Sequence, residues 1–462
     1  MYIFITYGYP GMRGVQTKAL RLGQFLVRKG QKVKFYDEGD HKPLIERKVD
    51  YENWDFNALY LPSQITFPSK TKAVIFPDLP TNRIGQLAIF LSAKSQKIPT
   101  VVIDNFYRTS QLEDRVFSNV IKYADLVILN GLILPALPLP PHLKIIGPFI
   151  PSPDHPQKVW KWLHSLGIKK NQKIILGAGY NKDVLLELKR LAKKIKDENL
   201  VIIAPGSVSK IKRLNNLLYL PFLNDQEISN LLSMASLAIY KFGFIQVCEA
   251  LMVGVPVVVA GKMRGFRMEW LDSKIRDLVV EALNSNQLVK VVREMIKKGK
   301  DYKEFQKRLA LLRLVPKNSL EITGELLKKL KSRNVQLKKE VAISFDDQKS
   351  LEKLKLTLYN HPFALPLVFS IPYFRPEKEK EREINLSSLE PTKKGEILKW
   401  GFQVIYHLSR HSFHSGVNLF PYFESLVRDI EGLLKEADSV LFIDKRVKFF
   451  IKPLLLGKKG GL

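Results

Sequence analysis

A single cysteine in 462 residues, Cys248, excludes a disulfide framework and any Cys-rich metal site, and it points to a reducing compartment. Apolar runs of bilayer length are missing too. The longest stretches, around Leu126 to Leu139 and Phe363 to Phe374, are cut by prolines or by Asn130, short of the ~18–20 residues of a membrane helix. The opening MYIFITYGYP has no basic segment ahead of an apolar one, so no secretory signal is expected. Acidic side chains are scarce beside basic ones: 45 Asp+Glu face 74 Lys+Arg, a formal charge of +29. That excess sits on the surface and favours anionic partners in general, whether nucleic acid, an anionic membrane face or phosphorylated substrates. Helix-turn-helix, aromatic-rich RNA-binding and zinc-finger patterns are absent, so a nucleic-acid-binding protein is supported by charge alone.

What is present is a foldable chain. With 45% hydrophobic and 10% aromatic residues it buries enough apolar surface to offset the entropy lost on folding, and its length suits two or three domains. Residues 1–150 alternate strand-like and helix-like periods. An apolar run at Tyr2 to Thr6 leads into GYPGMRG (8–14), then into apolar positions at helical spacing (Leu20, Phe25, Leu26), then into VKFY (33–36). Further β-like runs at 73–76, 100–103 and 126–129 predict a parallel sheet with crossover helices, a Rossmann-like domain.

Prolines crowd residues 135–156, where neither a helix nor a central strand can continue, so this is the expected interdomain connection. A second alternation spans 151–335. Strands are expected at 173–179, 200–206, 217–222, 236–240 and 255–261, with helices at 182–195, 225–235 and 246–253. The stretch from Asn286 to Glu340 is helical in pattern and carries 16 Lys+Arg against 6 Asp+Glu, either a solvated face or a surface for anionic lipid or polymer. VAISF (341–345) opens a smaller third α/β region, 336–462.

The stretch from Tyr219 to Gly261 carries the chemistry. A strand ends in a turn at Phe242, Gly243 and Phe244, and a helix follows with Gln246 and Glu249 in its first turns. Free amides at such a helix start hold a pyrophosphate, and a carboxylate one turn further accepts hydrogen bonds from ribose hydroxyls. The alternative is a helix merely packed on its sheet with Glu249 solvated. The segment EALMVGVPVVV (249–259) resembles the sugar-nucleotide motif of GT-B glycosyltransferases, most closely the group of the peptidoglycan lipid N-acetylglucosaminyltransferase. In two places it departs: Phe242 replaces one glycine of a pair, and Gln246 stands where Thr or Ser is usual.

The resemblance implies two Rossmann-like domains and a nucleotide-sugar site, with a UDP-sugar as donor. Carried over residue by residue, it implies Phe222 beside the base, Gly177 and Gly179 of LGAGY near the phosphates, and Gly243, Gln246 and Glu249 around the nucleoside diphosphate. Gly147-Pro148 resembles the family's entrance to the linker. On the acceptor side, RGVQTKALRLGQFL (13–26) resembles the family's loop and helix and implies Gly14 and Lys18. Val15 occupies the family's histidine position and removes the obvious general base; Asp104, closing the strand TVVID, is the nearest carboxylate at a strand's carboxyl end. The mechanism implied is displacement of the diphosphate by a glycan or lipid-linked acceptor hydroxyl. No metal cofactor is required, with Lys18, Lys241, Lys262 and Arg264 as candidate cationic helpers. The expected place is the cytoplasm, with peripheral contact at an anionic membrane's inner face.

In the third region, ISFDD precedes the histidine pair of YHLSRH, and two histidines four apart can share one divalent ion. The order resembles NodB-type polysaccharide deacetylases, truncated, with Gln348 in place of a glycine. By that resemblance Asp346 is the base, and Asp347, His407 and His411 hold a divalent metal, zinc. The competing functions are a catalytically inactive sugar-nucleotide-fold scaffold, a metal-dependent deacetylase and a basic nucleic-acid-binding protein.

Overall fold

The computed structural model describes residues 1–8, 14–56, 64–80, 84–105, 122–131, 140–178, 181–195, 197, 199–241, 244–260, 279–298, 318–333, 340–345, 367–371, 432, 435, 437 and 439–442. Within 1–150 the order is β1 (Tyr2–Gly8), α1 (Gly14–Arg28), β2 (Val33–Gly39), α2 (Lys42–Glu46), β3 (Tyr51–Asn53), β4 (Ala73–Phe76), α3 (Ile84–Ser95), β5 (Thr100–Asp104), β6 (Leu126–Leu129) and β7 (Leu143–Ile145). The strands form one parallel sheet in the order β3-β2-β1-β4-β5-β6-β7. Its central strands are short continuous apolar runs because helices cover both faces of such a sheet. In α1, Leu20, Leu22, Phe25 and Leu26 are buried, each contributing about 1.5–3 kcal/mol by leaving water.

The proline-rich connection differs from a plain linker in one respect, for it includes the three-residue strand β7. Its position at the sheet edge is the one that flanking Pro140, Pro141 and Pro148 allow, since only one side of β7 must pair.

The second unit runs α4 (Pro156–Ser165), β8 (Lys173–Gly177), α5 (Lys182–Lys194), β9 (Leu200–Pro205), β10 (Lys212–Leu214), β11 (Leu217–Leu220), α6 (Asp225–Met234), β12 (Leu237–Tyr240), α7 (Phe244–Met252), β13 (Val257–Ala260), β14 (Val279–Ala282) and α8 (Ser285–Lys298). Its sheet has the order β10-β11-β9-β8-β12-β13-β14, parallel except for the β10–β11 hairpin. Two doubly wound sheets therefore stand in series, the two Rossmann-like domains expected.

The next helix, α9 (Ser319–Lys328), lies within the stretch read as second domain but buries its apolar face on the first. Leu320 and Leu327 join the cluster of Tyr2, Phe25 and Leu26, and Ser319 Oγ donates to the Pro148 carbonyl at 2.6 Å. The third region contributes β15 (Glu340–Phe345), β16 (Leu367–Ile371) and β17 (Ser439–Phe442), a parallel sheet in the order β16-β15-β17.

Candidate functional site

In each large sheet the winding direction reverses once, between β1 and β4 in the first and between β8 and β12 in the second. At such switch points the helices leave to opposite faces, and the carboxyl ends of the strands open into a crevice. The second switch point is bordered by Gly177 and Tyr240, the ends of β8 and β12, and by α7.

The EALMVGVP motif divides into structural parts. Gly254, at φ 80°, ends α7: its amide donates to the Leu251 carbonyl (3.0 Å) and the Val255 amide to the Ala250 carbonyl (2.9 Å), a Schellman cap. Pro256 then starts the run into β13, its carbonyl accepting from the Ala238 amide at 3.0 Å. Ala250 and Leu251 are core. Glu249 is the residue that this packing does not require.

Glu249 is not solvated. Its side chain is 5% exposed and pairs with Arg21 of α1, 228 residues away in the other domain. Arg21 also donates through Nε to Asp225 Oδ1 (2.9 Å) and through Nη1 to the Phe149 carbonyl (3.1 Å), with its own side chain 9% exposed. Arg47 Nη2 approaches Asp225 Oδ2 at 3.5 Å. Burial works against the Arg21 charge, but the facing Glu249 and Asp225 carboxylates outweigh it and hold its pKa above the ordinary value. Burial pushes the Glu249 carboxyl up while Arg21 pulls it back. A cavity of about 610 Å³ flanks this cluster between the domains, bordered by Arg21, Arg28, Arg47 and Lys48 and by Asp225 and Pro151.

Phe222 lies three residues before Asp225, in the loop between β11 and α6, and is 79% exposed. Gln246 is half-buried in the first turn of α7. At Gly177 the space a side chain would take is filled by Leu188 of α5, so close helix–strand packing is a sufficient reason for glycine there. Lys241, closing β12, pairs with Asp183 in the first turn of α5, whose leading amides at Asp183 and Val184 already bond Asn181 Oδ1. Gly179, Gly243, Lys262 and Arg264 lie outside the described residues, as do Asp346, Asp347, His407 and His411.

On the first domain, Gly14 opens α1 and a side chain built there would meet nothing within 4 Å. Lys18 is buried, donating to Asn105 Oδ1 (2.9 Å) and the Ile103 carbonyl (3.4 Å) at the end of β5. Asp104 is buried beside it, and its Oδ1 accepts from the Asn105 amide at 2.6 Å, a loop-capping bond. At the end of β2, where dinucleotide folds keep a ribose-binding acid, Asp37 is already occupied: Thr6 Oγ1 donates at 2.6 Å and Gln16 Nε2 at 2.9 Å, and His41 Nδ1 lies 2.8 Å away.

Burial lowers the Lys18 pKa from its ordinary 10.5, with Asp78 and Asp104 opposing. Between the lowered value and 10.5 the folded chain binds fewer protons at Lys18 than the unfolded chain, so the stability contributed by Lys18 rises with pH across that window. Urea titrations of wild type and Lys18→Met should show the gap moving in favour of wild type as pH rises toward 10.5. A gap independent of pH would refute the assignment.

No protein-family model and no curated protein sequence matches the chain. Solved structures do resemble it. The calicheamicin glycosyltransferase shares 12% identity at a TM-score of 0.46, covering 71% of this chain and 97% of that one. Acinetobacter baumannii MurG shares 13% at 0.44, covering 71% and 99%. The Neisseria meningitidis UDP-GlcNAc 2-epimerase bound to UDP-GlcNAc shares 16% at 0.41, covering 71% and 100%.

Arg21 and Asp225 were not singled out from sequence. The available signal was an arginine three residues after Lys18, placed within the apolar stripe of α1 between Leu20 and Leu22, where a charge must find a partner.

Proposed function

We infer that the chain transfers a sugar from a nucleotide-sugar donor, a UDP-sugar, to a hydroxyl of a glycan or lipid-linked acceptor. The observation that carries this reading is Glu249, a buried carboxylate beside the second switch point that the packing of its own helix does not need. A carboxylate there accepts from the two ribose hydroxyls, and exposed Phe222, in the loop leading to the same ion cluster, borders the base. The first amides of α7 and nearby basic groups neutralise the diphosphate, so the step needs no metal. The acceptor oxygen forms its bond to the anomeric carbon as the bond to the diphosphate breaks. UDP leaves with that electron pair, and the hydroxyl proton passes to a base, for which Asp104 is the candidate on the acceptor domain. A lipid-linked acceptor lies at an anionic surface, and the +29 charge favours peripheral contact with it. Among the described residues no helix is long and apolar enough to cross a membrane.

Thermal unfolding with UDP tests the reading. A ligand at a hundred times its Kd stabilises the folded state by about 2.7 kcal/mol. UDP should therefore raise Tm, and UDP-sugar should release UDP when acceptor is supplied. An unchanged Tm with UDP, beside a rise with DNA or RNA at about 0.15 M salt, would remove the transferase reading in favour of nucleic-acid binding.

A further inference from the structure

The carboxylate assigned to the ribose is occupied from within the chain. Arg21, on the first domain, binds Glu249 and Asp225 of the second and the Phe149 carbonyl of the connection between them. Three elements thus meet on one guanidinium. Ribose hydroxyls cannot reach a carboxylate that is 5% exposed unless α1 and α7 move apart there. Around this contact the connection is held on its other side as well: Gln226 Nε2 donates to the Ser152 carbonyl (2.8 Å), and the Asp154 amide donates to Asn230 Oδ1 (2.8 Å). A backbone carbonyl and a backbone amide of that connection are therefore fixed to α6, while Arg21 ties α6 and α7 to the first domain.

Resting on the reading of Glu249 as the ribose acceptor, we propose that Arg21 is an internal latch that competes with the nucleotide for this carboxylate and holds the two domains shut when no nucleotide is bound. Nucleotide binding and the Arg21–Glu249 contact exclude one another, so each weakens the other by the same factor. The arrangement has a physical use. In the empty state it leaves neither Glu249 nor Arg21 buried alone, which for either ion would cost several kcal/mol.

Calorimetric titration of the full chain with UDP tests the latch, using Arg21→Gln, Arg21→Lys and Glu249→Ala. A latched population of about 90% lowers apparent affinity about tenfold, because only the open form binds. Arg21→Gln is therefore expected to bind UDP about tenfold more tightly than wild type. Arg21→Lys keeps the charge but cannot span Glu249, Asp225 and the Phe149 carbonyl together, and it should fall between the two; it decides the question if Arg21→Gln does not fold. If both arginine variants bind UDP no more tightly than wild type while Glu249→Ala weakens binding, the donor site stands and the latch is wrong. If UDP binds none of the chains, the donor site and the latch fall together.

Discussion

Glu249→Ala is expected to weaken UDP binding and to lower folding stability by about 3 kcal/mol. The two losses have different causes. Stability falls because Arg21 stays buried with one carboxylate fewer; breaking a buried ion pair typically costs about 3–5 kcal/mol, and the retained bond to Asp225 places this case at the lower end. Binding falls because nothing else in α7 offers two acceptor oxygens to a ribose. The variant removes the Arg21 contact as well, so a chain in which Glu249 served only as half of a domain clasp would open and keep its affinity for nucleotide. Opposite signs from the two partners of one ion pair, tighter UDP binding in Arg21→Gln and weaker binding in Glu249→Ala, separate a donor site from a clasp. Urea unfolding measures the first quantity and calorimetry the second. Unchanged UDP affinity in folded Glu249→Ala would take the nucleoside away from this carboxylate.

The largest purely structural effect is expected at Asp125, just ahead of β6. Its carboxylate takes both oxygens to Lys94 Nζ of α3, at 2.9 and 3.0 Å, with side chains 3% and 0% exposed. It also accepts from the Thr100 amide (2.7 Å) and Thr100 Oγ1 (3.0 Å) at the start of β5, and from the Arg333 amide beyond α9. Asp125→Ala leaves an ammonium ion in the first core without a partner and three further donors unsatisfied, so a loss of about 4–5 kcal/mol is expected. Restoring neutrality should recover part of it: Asp125→Ala with Lys94→Met removes the buried charge and is expected to be more stable than Asp125→Ala alone. Urea midpoints at constant slope measure both. A double variant no better than the single one would show that hydrogen bonding to Thr100 and Arg333, rather than the ion pair, carries the site.

The parts of the chain legible in sequence are those set by near neighbours. Continuous apolar runs at 73–76 and 126–129 read as buried strands and are strands with those limits. Asn224 followed by Glu227 forms a capping box that starts α6 at Asp225, where the pattern placed it. The Gly-x-Pro of the 249–259 motif is likewise local, since a left-handed residue and a missing amide end a helix and open a strand. The short strands β3, β7 and β10 were not legible, because three residues carry too little periodicity and their pairing depends on the neighbour that recruits them.

The sequence by itself determined the fold class: two successive β/α alternations, each able to bury its own sheet, a basic surface and a candidate helix bearing Glu249. Only the tertiary structure decided what Glu249 touches, where α9 lies and which charges sit inside. Apolar period reports which face of a helix is buried but not what buries it, and an ion pair between residues 21 and 249 leaves no mark on the residues between them. Those contacts form only once both domains have closed on the connection between them, and the desolvation that makes Arg21 and Glu249 depend on each other exists only in that packed state.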